Sequence, residues 1–230
     1  MNGTCVSKNN PSALGITNVE FEIGGQKIDR QSGIFMETWA ELTEPNPSGA
    51  TGYIGDNNAI NGTKFQNMSG FGGVISKTTP NHSFVPLFFW FCRNPGLALP
   101  LIALQYHEVK LILNHTFGSA STMTDVTNTL WCEYIFLDTD ERRRFAQVSH
   151  EYLIEQVQEQ KLNTADSTTL VFNHPVKELI WICDDSWSSG GNLDSIVDSA
   201  GDVNYLLKFN GHDRFSERDS LYFTKRQGWK

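Results

Sequence analysis

The stretch FVPLFFWFCRNPGLALPLIALQYHEVKLIL, residues 84–113, decides the fold class. Its apolar segments are held apart by Arg93-Asn94-Pro95-Gly96, which is turn chemistry: proline fixes φ and glycine tolerates φ > 0. A membrane span needs roughly 20 uninterrupted apolar residues. Here Arg93 and Asn94 interrupt the run, and Pro86, Pro95 and Pro100 each remove a backbone donor. The stretch therefore reads as two buried strands. After the turn, His107, Val109, Leu111 and Leu113 fall on one face and Tyr106, Glu108, Lys110 and Ile112 on the other, the period of two of a strand with unlike faces. Phe88, Phe89, Trp90 and Phe91 are expected to line a core, in preference to a ligand-stacking platform.

Outward from that stretch, the chain alternates again at VEFEIGGQKID (residues 19–29), where Val19, Phe21 and Ile23 oppose Glu20 and Glu22 before Gly24-Gly25. This is a hairpin signature. Phe35, Trp39 and Leu42 recur at helical spacing and predict a short helix that Pro45 and Pro47 terminate. Residues 46–83 are rich in Gly, Asn, Ser and Thr and predict a long loop. After the apolar run from Trp131 to Leu137, Asp138 and Glu141 mark the cap and third position of a helix that carries Arg142, Arg143 and Arg144 and ends near Gln147. Residues 149–158, SHEYLIEQVQ, fit helix and strand about equally. A polar linker is placed at 159–167. The β pattern resumes at 168–172, 176–183 and 205–209, the last running into the preferred turn pair Asn210-Gly211.

The segment YLLKFNGHDRF (205–215) echoes VEFEIGGQKID, which points to two copies of one β unit. Neither copy is whole: the first has only 18 residues before its hairpin, and the second has no apolar pair after it. Two eight-stranded sandwiches need on the order of 300 residues. The expectation is a fragment of a longer protein.

The formal charge of -8 argues against coating nucleic acid, which requires clustered Lys and Arg to release counterions from phosphates. Cys5, Cys92, Cys132 and Cys183 show no CxxC spacing and are expected to be free, buried thiols. The opening MNGTCVSKNNPSALG has no apolar h-region and is not read as a signal peptide. The sequons at Asn2, Asn61, Asn67, Asn81 and Asn114 are attributed to composition.

No catalytic, cofactor-binding or metal-ligating residue is assigned. Both His-Glu pairs fail the HExxH test, because Leu111 and Ile154 stand where the second ligand belongs. Asp138-Thr139-Asp140-Glu141 resembles a calcium-loop opening, but the three arginines occupy the further ligand positions. His82, His174 and His212 share no spacing, and Gly118-Ser119-Ala120-Ser121-Thr122 lacks the closing glycine of a nucleophile elbow. The three arginines read as a solvated helix face, with a grip on a phosphate or on a partner's carboxylates as the alternative.

Five segments in one order, 19–43, 88–111, 134–158, 172–181 and 209–223, resemble the major capsid proteins of large icosahedral DNA viruses of the iridovirus, phycodnavirus and asfarvirus type. The resemblance implies an all-β fold of two consecutive jelly-roll sandwiches with short helices in the connections. It assigns 1–158 to a first roll lacking its opening strands, 159–167 to a linker and 168–230 to the beginning of a second, and it makes SHEYLIEQVQ a strand. It implies a non-enzymatic shell protein without cofactors. Its expected partners are two further copies in a homotrimeric capsomer, neighbouring capsomers and minor capsid proteins, with no nucleic acid and no direct membrane insertion. The location implied is the virion, assembled in the host cytoplasm. The rival is a glycan-binding, lectin-like jelly roll, with Asp184, Asp185 and Trp187 holding a sugar directly or through calcium. A glycoside hydrolase stands third, because carboxylates are plentiful.

Overall fold

A computed structural model describes residues 2–5, 8–9, 15–44, 64–69, 71, 76–77, 80–117, 123–161, 167–182, 204–219 and 222–227. The strands are β1 (Asn2–Cys5), β2 (Lys8–Asn9), β3 (Ile16–Ile23), β4 (Gln26–Ser32), β5 (Ser76–Lys77), β6 (Pro80–His82), β7 (Val109–His115), β8 (Met123–Thr127), β9 (Asn204–Tyr205), β10 (Lys208–Phe209), β11 (His212–Asp213) and β12 (Arg218–Asp219). The α-helices are α1 (Gly33–Thr43), α2 (Lys64–Ser69), α3 (Trp90–Arg93) and α4 (Thr139–Gln147). The chain divides into two compact units, Met1–Pro175 and Val176–Lys230.

The first unit is organised on the antiparallel sheet β4-β3-β7, with β3 in the centre. Alternation sets its register: Val19, Phe21 and Ile23 face Leu113, Leu111 and Val109, while Glu20 and Glu22 face Ile112 and Lys110. The β3–β4 turn has φ of 60° at Gly24 and 79° at Gly25, the positive pair that a two-residue hairpin requires and that side chains with a Cβ resist. Lys27 Nζ lies 2.7 Å from Glu20 across this hairpin. Ser32 then caps α1 by accepting from Phe35 N at 3.2 Å. A second sheet has the order β6-β1-β8.

The buried apolar set comes from three sources: Ile16, Val19 and Phe21 of β3, Met36 and Ala40 of α1, and the aromatic wall Phe88, Phe89 and Trp90. Phe71 joins them. Phe21 stands in the wall, with ring centroids 5.6 Å from Phe89, 5.4 Å from Trp90 and 4.8 Å from Phe91. The aromatic run is core, as its apolar neighbours imply.

Of the two buried strands expected across 84–113, the structure forms one, β7. Residues 84–89 join no ladder, 90–93 make a single helical turn, and 95–97 a 3-10 turn. From Pro100 the chain coils through bonds from Ala103 N and Leu104 N to Pro100 O and from His107 N to Leu104 O. Three prolines in fifteen positions deny a ladder its donors, so the apolar residues pack without pairing. Cys92 and Cys132 are free but exposed, where buried thiols were expected. Cys183 and much of the 46–83 loop lie outside the described residues.

The helix over 139–147 forms as its cap predicts, Asp138 Oδ1 accepting from Asp140 N at 3.1 Å and Glu141 N at 3.0 Å. Asp138→Ala should cost about 1 kcal/mol and shift the thermal melt downward by a few degrees; an unchanged melt would show that the cap contributes nothing.

The described residues of 168–172, near the end of the first unit, and of 176–183, in the second, form no ladder, contrary to the strands expected there. The echo is nonetheless structural. β10 and β11 form a hairpin with φ of 51° at Asn210 and 80° at Gly211, the same positive pair as at Gly24-Gly25. Lys208 Nζ lies 3.3 Å from Asp213 across it. β9 pairs with β12, and Trp181, Tyr205, Phe215 and Tyr222 surround Phe223 at centroid distances of 5.0, 5.8, 5.6 and 5.1 Å.

Candidate assembly surface

The hairpin β3–β4 carries a bulge: Phe21 pairs with Asp29 and Glu22 with Lys27, so Ile28 is left over. A bulged residue leaves backbone groups outside the ladder and bends the strand. Ile28 O is taken by the Gln156 side-chain amide. Next to it, Asp29 Oδ1 accepts from Val157 N at 2.9 Å and Arg30 N at 2.8 Å, and Oδ2 accepts from Gln31 Nε2 at 3.1 Å. Burial pushes the Asp29 carboxyl up from its ordinary value, against these donors and the Arg93 charge, which pull it down.

Arg93 completes the fastening. Its guanidinium lies over the Trp39 ring at 4.8 Å, its Nε donates to Phe88 O at 3.2 Å, and its Nη1 pairs with Glu155. One arginine thus ties α1, the aromatic wall and residues 155–157 together. Further along, Val171 N and Asn173 N donate to Gln160 Oε1 and Gln158 Oε1, both at 3.0 Å, and Gln160 Nε2 donates to Thr169 O at 2.9 Å. Alternate glutamines, 156, 158 and 160, stitch the segment to its neighbours where the strand expected of SHEYLIEQVQ would have used backbone bonds. Among the described residues, no backbone-to-backbone bond involves 149–161.

The same region exposes its apolar side chains. Trp131 is 83% exposed, Phe136 92% and Leu153 95%, and Leu130, Tyr134 and Ile135 are also open. Large exposed apolar patches mark surfaces that other molecules cover.

Elsewhere the structure places polar residues in structural roles. His150 stacks on Phe145 at 5.2 Å and donates from Nε2 to Phe145 O at 2.8 Å. Arg142, Arg143 and Arg144 are exposed, and Arg143 lies 3.7 Å from Asp140. Among the described residues no group of three or more His, Cys, Asp or Glu is placed to hold a metal, and no helix is long and apolar enough to cross a membrane. Asp184, Asp185 and Trp187 lie outside the described residues. Sequence reasoning passed over Arg93 and Asp29, taking the first as a turn residue and the second as a hairpin exit. The signal was there: an arginine set directly against an aromatic run must find partners if it is not to be buried alone.

The comparisons give the family. The profile of the major capsid protein N-terminus matches residues 12–149, and that of the large eukaryotic DNA virus major capsid protein matches 141–230. The chain belongs to the major capsid protein family of large eukaryotic DNA viruses. The major capsid protein of Pyramimonas orientalis virus is 48% identical over 223 residues, spanning 94% of this chain and 52% of that protein. The major capsid protein of Paramecium bursaria Chlorella virus 1 is 33% identical over 262 residues, 94% of this chain and 57% of its own length. A quasi-atomic structure of the capsid of the latter virus superposes with a TM-score of 0.62 at 27% identity, covering 99% of this chain and 64% of that one. The fold is accordingly the all-β jelly-roll type of that capsid. This chain spans about half the length of the curated relatives it matches.

Proposed function

We propose that the chain is a structural component of the icosahedral shell of a large double-stranded DNA virus, working by burial of protein surface and not by catalysis. The observation that supports this reading best is the set of exposed apolar side chains on either side of α4, Trp131 and Phe136 before it and Leu153 after it, which a protein cover would bury. In this reading three copies form the capsomer, which contacts neighbouring capsomers and minor capsid proteins, and the shell assembles in the host cytoplasm. The first roll spans 1–158 and the second begins at 168, after a linker at 159–167.

The measurement is sedimentation velocity at concentrations of tens of micromolar, with chemical cross-linking of the same samples. The expected outcome is a concentration-dependent trimer that loses mass when Trp131 and Phe136 are both replaced by Ser. A chain that stays monomeric throughout this range, or a double variant that assembles like the parent, would overturn the proposal.

A further inference from the structure

The second unit holds two guanidiniums for which the described residues supply no carboxylate partner. Arg218 Cζ lies 5.2 Å and Arg226 Cζ 5.6 Å from the centroid of the Tyr222 ring. Among the described residues neither forms an ion pair, although both are exposed. Of the acids beside them in sequence, Asp219 Oδ1 accepts from Tyr222 N at 2.8 Å, starting the π-helical turn Tyr222–Gln227, and Glu217 is exposed with no ion pair among the described residues.

Both arginines are held by backbone that is itself fixed. Arg218 pairs with Tyr205 in the β9–β12 ladder, and Tyr222 is anchored by the Asp219 cap and by its edge contact with Phe223. Arg226 follows Tyr222 by one helical turn, so the two side chains meet on one face. Stacking on an aromatic ring orients a guanidinium without satisfying its hydrogen-bond donors. The result is a pair of planar forks, held against one ring, whose N–H groups meet no carboxylate among the described residues, the geometry that carboxylates and phosphates fit.

Magnitudes choose between these anions. Nucleic-acid binding of useful strength involves about 6–10 phosphate contacts, and recognition of an anionic lipid surface uses clusters of about 4–8 Lys or Arg. Two forks fall well short of either. They match one or two carboxylates, and the chain carries 26 Asp and Glu against 18 Lys and Arg, so every copy presents carboxylates in excess. Exposed Glu133, Glu151 and Glu159 have no ion pair among the described residues. We propose that Arg218, Arg226 and the Tyr222 ring form a carboxylate-binding site that engages acidic side chains of a second copy of this chain. The inference rests on the shell-forming reading above and adds a salt-sensitive polar contact to its apolar one.

The test compares self-association of the wild-type chain, Arg218→Glu/Arg226→Glu and Arg218→Lys/Arg226→Lys by sedimentation velocity at low and high NaCl. The wild type should associate and weaken with salt, the Glu pair should associate about tenfold more weakly at low salt, and the Lys pair should fall between them. All three should share one melting curve, since neither arginine is part of the core. A wild type that never associates overturns the shell-forming reading itself. A wild type that associates while both pairs match it at every salt concentration overturns only this site. Binding of the wild type to phosphatidylserine vesicles that the Glu pair loses, with association unchanged, overturns it in favour of a lipid ligand.

Discussion

Phe21→Ala should remove about 3–5 kcal/mol of stability, the range for deleting a fully buried aromatic ring. Phe21 is 2% exposed, sits at the centre of the β4-β3-β7 sheet and touches three rings of the aromatic wall. Domains are stable by only about 5–15 kcal/mol, so this loss is a large fraction of the whole. In a chain of this length it corresponds to a melting temperature lower by roughly 10 °C. Phe21→Leu, which keeps most of the volume, should cost only about 1 kcal/mol. Equal melts for the wild type and the Ala variant would show that the wall packs without Phe21 and that the core has been misplaced.

Local patterns with a single physical meaning were legible in the sequence. The Gly24-Gly25 and Asn210-Gly211 turns, the Asp138 cap and the alternation of Val109–Leu113 each appear where the residues demand, because each rests on neighbours a few positions away. The aromatic wall was legible as core for the same reason. Its secondary structure was not, since hydrophobicity predicts burial while Pro86, Pro95 and Pro100 decide pairing. Residues 149–161 mark a second limit. Their alternation is strand-like, yet they are fastened by Gln156, Gln158, Gln160, Glu155 and one backbone N–H to a bulge carbonyl, a buried aspartate, an arginine and the backbone of 169–173. Such long-range side-chain pairings leave no periodic trace. The candidate surface was half legible: Trp131 to Leu137 shows as an apolar run, but its exposure depends on what does not cover it.

The side-chain fastening has a consequence for how the surface works. A segment tied by a backbone ladder has spent its donors and acceptors on its own chain. Residues 149–161 are positioned mainly through side chains, with Val157 N spent on the Asp29 carboxylate, and among the described residues they make no backbone-to-backbone bond.

Asp29 is where that positioning is most exposed to mutation and pH. Asp29→Ala strips the acceptors from Val157 N, Arg30 N and Gln31 Nε2 at once and should cost about 2–4 kcal/mol, as buried donors lose their partners. Asp29→Asn should be far milder. Its amide oxygen still accepts from Val157 and Arg30, and its new N–H₂ can meet Gln31 Oε1, which is buried without a partner, once that amide turns over. The two variants also separate by pH. Burial raises the folded-state pKa of Asp29 above its ordinary value of about 3.8. Its protonation therefore contributes stability that is fully present below that ordinary value and is lost as pH rises through the folded-state value. Asn stays neutral across that window. The stability of Asp29→Asn relative to the wild type should thus improve as pH rises from acid to neutral, and urea unfolding at a series of pH values measures the difference. A gap between wild type and Asn that stays constant with pH would mean that Asp29 titrates alike in the folded and unfolded chain, and that water reaches it despite its burial beneath Val157.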